Sequence, residues 1–316
     1  MKKWILTTVA AALSVPLVPG APAMAACTWS ATQLAVPSGH SRVVVSGAAQ
    51  NSALIAGHAI RTDGTGNNAV VWHDGVPQVL PNPVAGSGSN RADAVNDSGV
   101  VAGVWRGPNN MDTAWRYQNG TYQMLPTVAG SIVYTNLAIN NPGDIIGQAY
   151  CLFCSPIGAL WRAATPGQVT TLGSGVFAVG IDDTGRYVTN TRVIVNADGS
   201  QITLQRDVFM RGFSRGRILS EDIDTDRIVE WNVAGQITRE FPGQYPHAVN
   251  TAGLMVASPP NSVYMSVRNG NSWQQLSPLN TGTEDITNGN VIVANYNHDG
   301  NVNTPYVGGT YRRICT

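Results

Sequence analysis

The sequence predicts an all-β repeat protein, a β-propeller of seven blades, and three observations carry that expectation. A ten-residue hairpin unit recurs along the chain. Aromatic third strands and turn glycines follow it at regular intervals. The last unit lacks a fourth strand, which the N-terminal residues can supply.

The clearest unit is Ala94–Gly103, AVNDSGVVAG, matched by AINNPGDIIG from Ala138, GIDDTGRYVT from Gly180 and AVNTAGLMVA from Ala248. Ala48 opens AAQNSALIAG, which keeps the apolar tail but loses the turn glycine; RGFSRGRILS from Arg211 and DITNGNVIVA from Asp285 are weaker copies. A short apolar strand enters a turn of Asn or Asp followed by Gly, which supplies local side-chain hydrogen bonds and positive φ. A Val/Ile-rich strand leaves it.

Third strands follow with Trp72, Trp115, Trp161 and Trp231. A second turn (Asp74-Gly75, Asn119-Gly120, Pro166-Gly167, Ala234-Gly235, Asn269-Gly270) leads to a fourth strand, as in Val76 to Leu80 and Ser272 to Leu276. Four antiparallel strands make one blade, and a mean repeat of about 42 residues suits it. The weakness of the copy at Arg211 leaves six blades open. Residues 309 to 314 read as a third strand, and Thr28–Leu34 resembles the fourth strands, so the N-terminal strand is expected to complete the last blade beside Cys315.

The pattern A-[VI]-N-x-x-G-x-x-x-G, with its aromatic third strand and turn glycine, resembles the HAF-type extracellular repeat of bacterial secreted proteins. The resemblance covers most of the chain after the first 25 residues and is clearest at Ala94 and Ala138. The His-Ala-Phe triplet of that repeat is replaced here by Asp112-Thr113-Ala114-Trp115 and Ile157-Gly158-Ala159-Leu160. The resemblance implies export and a propeller-like fold, and it brings no catalytic residues to these positions.

The N-terminus reads independently as an export signal. Lys2 and Lys3 precede an apolar run from Trp4 to Val18, and Ala23-Met24-Ala25 is a small-x-small cleavage site. Residues 1–25 are thus a signal peptide and 26–316 a single propeller domain, secreted or periplasmic. The run is too short to span a membrane comfortably. No other lysine occurs, which leaves 17 arginines against 19 acidic residues. Such a balance lacks the basic stripe of a nucleic-acid binder and gives no reason for an anionic membrane partner. A monomer is expected.

Four cysteines in an exported chain favour disulfides. Spacing favours Cys151 with Cys154, as a loop staple, and Cys27 with Cys315, closing the ring. A redox CxxC would open a helix, and the residues around Cys151 carry no helical pattern.

Candidate chemistry is sparse. Gly212-Phe213-Ser214-Arg215-Gly216 matches G-x-S-x-G, but it falls on a repeat turn instead of a strand–turn–helix elbow. Asn295, Asn297 and Asp299 imitate half of a calcium loop whose bidentate twelfth ligand is replaced by Tyr306; Glu221 to Asp226 is a second acidic cluster. Calcium is the one cofactor these residues suggest. Recurring tryptophans belong in inter-blade packing, whereas Trp105 enters a loop and is the candidate for stacking on a sugar.

A propeller binds ligands at a mouth of its central channel, lined by the innermost strands. The expected ring comprises His40, Arg42, Arg91, Asp93, Tyr134, Asn136, Phe177, Asp207, Tyr245, His247 and Glu284. The first functional expectation is a non-catalytic module binding a glycan, peptide or surface partner. The alternatives are an extracellular polysaccharide lyase or hydrolase, with Tyr245 and His247 as acid–base pair and Arg91 neutralising a uronate, and a structural surface protein.

Overall fold

The computed structural model describes residues 27–84, 88–214, 216–262, 264–277, 282–296 and 305–315; the expected signal peptide lies outside them. Turn chemistry dictates the first level of structure. Asn96 Oδ1 accepts the amides of Ser98 (3.1 Å) and Val100 (2.9 Å), and Gly99 takes φ 75°, so the chain reverses in four residues and sends a Val-rich strand back. Repetition of this reversal yields antiparallel meanders, and no helix occurs among the described residues.

Five four-stranded sheets follow in chain order. They are His40–Ala48, Leu54–Arg61, Asn67–His73 and Val76–Val79; Ser89–Val95, Val101–Arg106, Asp112–Gln118 and Thr121–Met124; Val133–Ile139, Ile145–Tyr150, Ile157–Trp161 and Thr170–Ser174; Ala178–Ile181, Tyr187–Thr189, Val193–Val195 and Gln201–Thr203; and Phe209–Ser214, Arg217–Asp222, Arg227–Asn232 and Ile237–Pro242. An eight-stranded sheet joins two further sets edge to edge. One set is Gln244–Val249, Met255–Ser258, Ser266–Asn269 and Ser272–Ser277; the other is Gly282–Ile286, Ile292–Tyr296, Val307–Cys315 and the N-terminal Cys27–Gln33.

The first strand of each set touches the first strand of the next, and Gly282–Ile286 returns to His40–Ala48. The innermost strands thus close a ring around a central channel, and the molecule is a β-propeller. The weak copy at Arg211 is a complete sheet. Its reversal is tighter, pairing Ser214 directly with Arg217, which is why the Asn-x-x-Gly signature is missing there. The G-x-S-x-G match is therefore the end of an innermost strand, without the helix a nucleophile elbow needs.

The core is divided into clusters between neighbouring sheets instead of one central mass. One joins Val71 and Leu80 to Val95 and Trp115, another Leu125 and Tyr134 to Trp161, and a further one joins Val293 of the last set to Val43 and Trp72 of the first. Trp72, Trp115, Trp161 and Trp231 are all buried, as their strand positions predict. The closing glycine of the repeat exists for these rings. A Cβ on Gly103 would lie 2.2 Å from the Trp115 ring and from Arg91 O, and one on Gly57 would lie 2.1 Å from Val44 O and 3.1 Å from the Trp72 ring. Trp115 nevertheless sits two residues out of phase with the others. It faces Gly103 directly, whereas Trp72 and Trp161 face Ile55 and Ile145.

A second repeated device ties sheet to sheet. Asn96 Nδ2 donates to the carbonyls of Asn140 and Asn141, and Asn140 Nδ2 donates to Asp182 O. The next turn residue extends the contact outward. Asn288 reaches Asn51, Asn51 reaches Asp97, and Asn141 bridges Asp97 to Asp183. At Asn96, Asn140 and Asn250 one side chain thus shapes its own turn and also bonds the neighbouring set. Burial works to raise the Asp97 pKa, but the hydrogen bonds from Asn51 and Asn141 outweigh it and hold the carboxyl below its ordinary value.

The ends meet as expected. Cys27–Gln33 pairs antiparallel with the last strand through a continuous register from Cys27 opposite Cys315 to Gln33 opposite Gly309, and it also pairs parallel with Ser272–Ser277 through Trp29 and Leu276. Cys27 is disulfide-bonded. Cys151 and Cys154 form the loop staple, with Cα atoms 5.5 Å apart, and the enclosed Leu152 and Phe153 are exposed.

Candidate functional site

Every innermost strand carries a β-bulge at the same level of the channel. Register shifts fall between Val45 and Gly47, Ala92 and Ala94, Thr135 and Ala138, Ala178 and Gly180, Met210 and Gly212, Gln244 and Ala248, and Thr283 and Asp285. A bulge inserts an unpaired residue and re-aims its side chain. The residues so inserted include Ser46, Asp93, Leu137, Val179, Arg211, His247 and Glu284, and all of them line one cavity of 230 Å³. Immediately after them come Gly47, Ala94, Ala138, Gly180, Gly212 and Ala248, small residues that let adjacent innermost strands approach: a Cβ on Gly180 would lie 2.2 Å from Phe213 O.

Taken around the ring, the inserted residues fall into three sectors, although the Leu137 side chain is buried in the core cluster of Tyr134 and Trp161. Glu284, Ser46 and Asp93 come from three consecutive sets; Leu137 and Val179 from the next two; Arg211 and His247 from the remaining two. A second cavity of 300 Å³ lies against the same ring, sharing Ser46, Asp93, Leu137 and Glu284 and adding Arg91, Thr135 and Asn136.

Charge in the ring is paired but not fully satisfied. Arg91 Nε lies 2.9 Å from Asp93 Oδ1, and its Nη2 donates to Tyr134 O at 2.6 Å. Asp93 Oδ2 is buried and has no hydrogen-bond partner. Burial raises the Asp93 pKa, against the pull of Arg91. Glu284 Oε1 accepts from Asn295 Nδ2 at 2.9 Å. Glu284 and His247 are open to channel water yet walled by protein, and that desolvation governs both: it raises the Glu284 carboxyl and lowers the His247 imidazole. Thr283's backbone partly offsets the His247 shift. Arg211 is held by the buried Glu221 and stands 5.5 Å from the centre of the Tyr245 ring, and Glu221 also accepts the Tyr245 amide at 3.1 Å.

The expected channel residues therefore divide. Asp93, His247 and Glu284 point into the ring; Arg91 and Asn136 line the adjoining cavity. Tyr134 does not: it is wholly buried in the core, its hydroxyl bonded to Val128 N and Ser131 Oγ at 2.8 Å. His40 bonds Ser38 O and Asn68, Arg42 bonds Tyr306 O, and Asp207 is an exposed partner of Arg192; none of them lines either cavity. The Phe177 amide bonds Asn190. The guanidinium beside Tyr245 and His247 is Arg211, not the expected Arg91, and Glu221 already neutralises it.

Other expectations are corrected by local packing. Asn295 clamps the backbone of Val45 through both amide atoms, at 2.9 Å each, so it is a structural bridge and not a calcium ligand. Asn297 and Asp299 lie outside the described residues. Glu221 and Asp222 are buried strand residues paired with Arg211 and Arg206, not members of a solvated loop. Among the described residues no three His, Cys, Asp or Glu side chains gather as metal ligands. Trp105 packs against its sheet's core with its indole nitrogen buried, and it borders a cleft of 660 Å³.

Sequence reasoning missed Ser46, Leu137, Val179 and Arg211. It also missed His58, which packs near Arg91 and Arg42; burial first, then those two cations, lowers its pKa to about 4.

No helix among the described residues is long and apolar enough to cross a membrane. No family model matches the sequence, and no curated protein matches it. Solved structures do. A chain of a mitotic checkpoint complex superposes with a TM-score of 0.55 at 11% identity, covering 98% of this chain and 99% of that one. The Dos1 propeller gives 0.48 at 12% identity over 82% and 75%, and a chain of a nidogen/laminin complex 0.41 at 11% over 69% and 94%. At these identities the likeness to the first is one of fold, and the two weaker superpositions add nothing to it.

Proposed function

We propose that this chain is an exported, seven-bladed propeller of the HAF-repeat type, and that it works as a non-catalytic binding module whose ligand enters the central channel. The blade count is supported by dividing the eight-stranded sheet where Cys27–Gln33 meets Ser272–Ser277. One observation carries the functional reading: the bulge of each set of strands brings a different residue to the wall of one shared cavity. A purely structural channel needs no such variety. The cavities beside the ring, at 230 and 300 Å³, suit a small molecule or a peptide end better than a threaded polysaccharide.

The test is to fill the channel. Val179→Trp should abolish the thermal upshift given by any ligand found in a screen of amino acids, short peptides and oligosaccharides, while leaving the far-ultraviolet spectrum unchanged. A ligand that stabilises Val179→Trp as well as the parent would place binding elsewhere and overturn the reading. Export is tested by sequencing the N-terminus of the protein recovered from periplasm or medium. Ala26 is the residue expected there.

A further inference from the structure

We propose that the channel takes a small ligand carrying a primary ammonium group, seated between Asp93 and Glu284, in the manner of an α-amino acid with an apolar side chain. This rests on the channel reading above and specifies its ligand.

The Asp93 side chain is only 10% exposed; Arg91 engages its Oδ1, and the Leu137 amide also approaches the carboxyl. Its Oδ2 is buried without a partner at the junction of the two cavities. A buried carboxylate oxygen without a donor is costly. Thr135 Oγ1, on a residue that lines the 300 Å³ cavity, is likewise buried and unpartnered. Glu284 borders both cavities from the other side of Ser46, and Asn295 approaches one of its oxygens. An ammonium group brings three donors and a positive charge to this place, so it can answer two carboxylates and a hydroxyl together.

The other sectors specify the remainder of the ligand. Val179 offers an apolar surface beside the buried Leu137. Arg211, which gives Nε and Nη2 to Glu221, stands with the His247 imidazole, whose pKa burial lowers. Together they form a wall of N–H donors rather than of net positive charge, to which a carboxylate can turn its oxygens. A molecule with ammonium, carboxylate and a short apolar branch meets all three sectors. A neutral sugar would leave the two carboxylates unanswered.

Calorimetric titration of the full mature chain at pH 7 tests this with three matched probes: L-leucine, 3-methylbutylamine, which lacks the carboxylate, and 4-methylpentanoate, which lacks the amine. L-leucine should bind, with 4-methylpentanoate weaker by about tenfold or more, the range expected for a charge-assisted hydrogen bond. Asp93→Asn and, separately, Glu284→Gln should each weaken L-leucine by about tenfold without a comparable change in melting temperature. Equal affinity for L-leucine and 4-methylpentanoate, unchanged binding in both variants, or no binding of either amine at millimolar concentration would overturn the ammonium assignment. Ser46→Trp separates the two levels of inference. If it abolishes binding of anionic or neutral probes, the channel stands and only the ammonium falls; if every probe binds it as it binds the parent, the channel reading falls as well.

Discussion

Asn96→Ala tests whether the inter-blade belt, and not the hairpin turn alone, explains the repeated asparagine. Asn96 is 2% exposed and makes four side-chain hydrogen bonds. Its Oδ1 accepts from Ser98 N and Val100 N within its own turn, and its Nδ2 donates to Asn140 O and Asn141 O of the next set, both at 3.1 Å. At about 1 kcal/mol net for each bond, alanine should cost about 4 kcal/mol, since water has little access to the groups left behind. For about 290 residues the unfolding entropy is about 0.6 kcal/mol per degree, so the melting temperature should fall by ~6–7 °C. Urea denaturation should report the same loss with an unchanged m-value. Asn96→Asp divides the effect, because it keeps both turn acceptors while replacing the inter-blade donors with an acceptor that faces the carbonyls of Asn140 and Asn141. The fourth set shows that outcome naturally: Asp182 accepts from Thr184 and Arg186 in its own turn and pairs with Arg186. A loss below about 1 kcal/mol for Asn96→Ala would refute the belt as a source of stability.

Gly103→Ala should destabilise by about 3 kcal/mol or more in urea titration, because the added methyl meets backbone and an indole ring that is itself fully buried; Gly120→Ala, with open space around it but φ 81°, should cost less. Reductant, or Cys27→Ser, should lower the melting temperature substantially. Cross-linking Cys27 to Cys315 closes nearly the whole chain, for which loop entropy gives about 6 kcal/mol as an upper limit, whereas Cys151→Ser with Cys154→Ser opens only a four-residue loop, about 2 kcal/mol by the same relation, and should lower the melt far less. His58 supplies a pH test. Its folded pKa of about 4 lies below the unfolded 6.5, so the unfolded chain takes up the proton first and stability falls as pH drops between those values, by up to about 3 kcal/mol. The raised Asp93 and Glu284 carboxyls act in the opposite sense. The comparison is therefore between parent and His58→Gln, and identical pH profiles would refute the assignment.

The architecture was legible because it is written in residues with strong local rules. Asn or Asp before a turn glycine, Val and Ile after it, and Trp in the third strand recur with enough regularity to phase most of the sheets. Closure by Cys27–Gln33 was legible for the same reason, as a fourth strand displaced to the front of the chain. The channel was harder, because a bulge has no composition of its own: Ser46, Leu137 and Arg211 share nothing but their place just before a small residue. Tyr134 shows the cost. Counting back from Ala138 as from Ala94 aligns Leu137 with Asp93 and Tyr134 with the buried Asn90. Placing Tyr134 in the ring departs from that count by three residues, and in a strand an odd step changes the face. Arg211 was hidden differently, behind the tight reversal that erased its unit's turn signature.

Ring closure and the candidate site are one problem in this molecule. Every set but the last is built from consecutive chain, so the ring can open by breaking one strand pair, Cys27–Gln33 against Val307–Cys315. At the rim that pair is reinforced by the contact of Trp29 with Leu276. At the channel, Asn295 of the last set holds Val45 of the first by both amide atoms and turns its remaining donor capacity to Glu284. Ser46 follows Val45 directly, and Asp93 stands in the next set. The acidic sector therefore straddles the junction that closure creates, with Glu284 on one side of it and Asp93 on the other. A ring loosened at the N-terminal strand would part those carboxylates before it disturbed the far side of the ring at Leu137 and Val179. Ligand affinity should then fall at reductant concentrations that leave most of the sheet structure intact, and a ligand bridging the two carboxylates should in turn hold the ring shut against reduction.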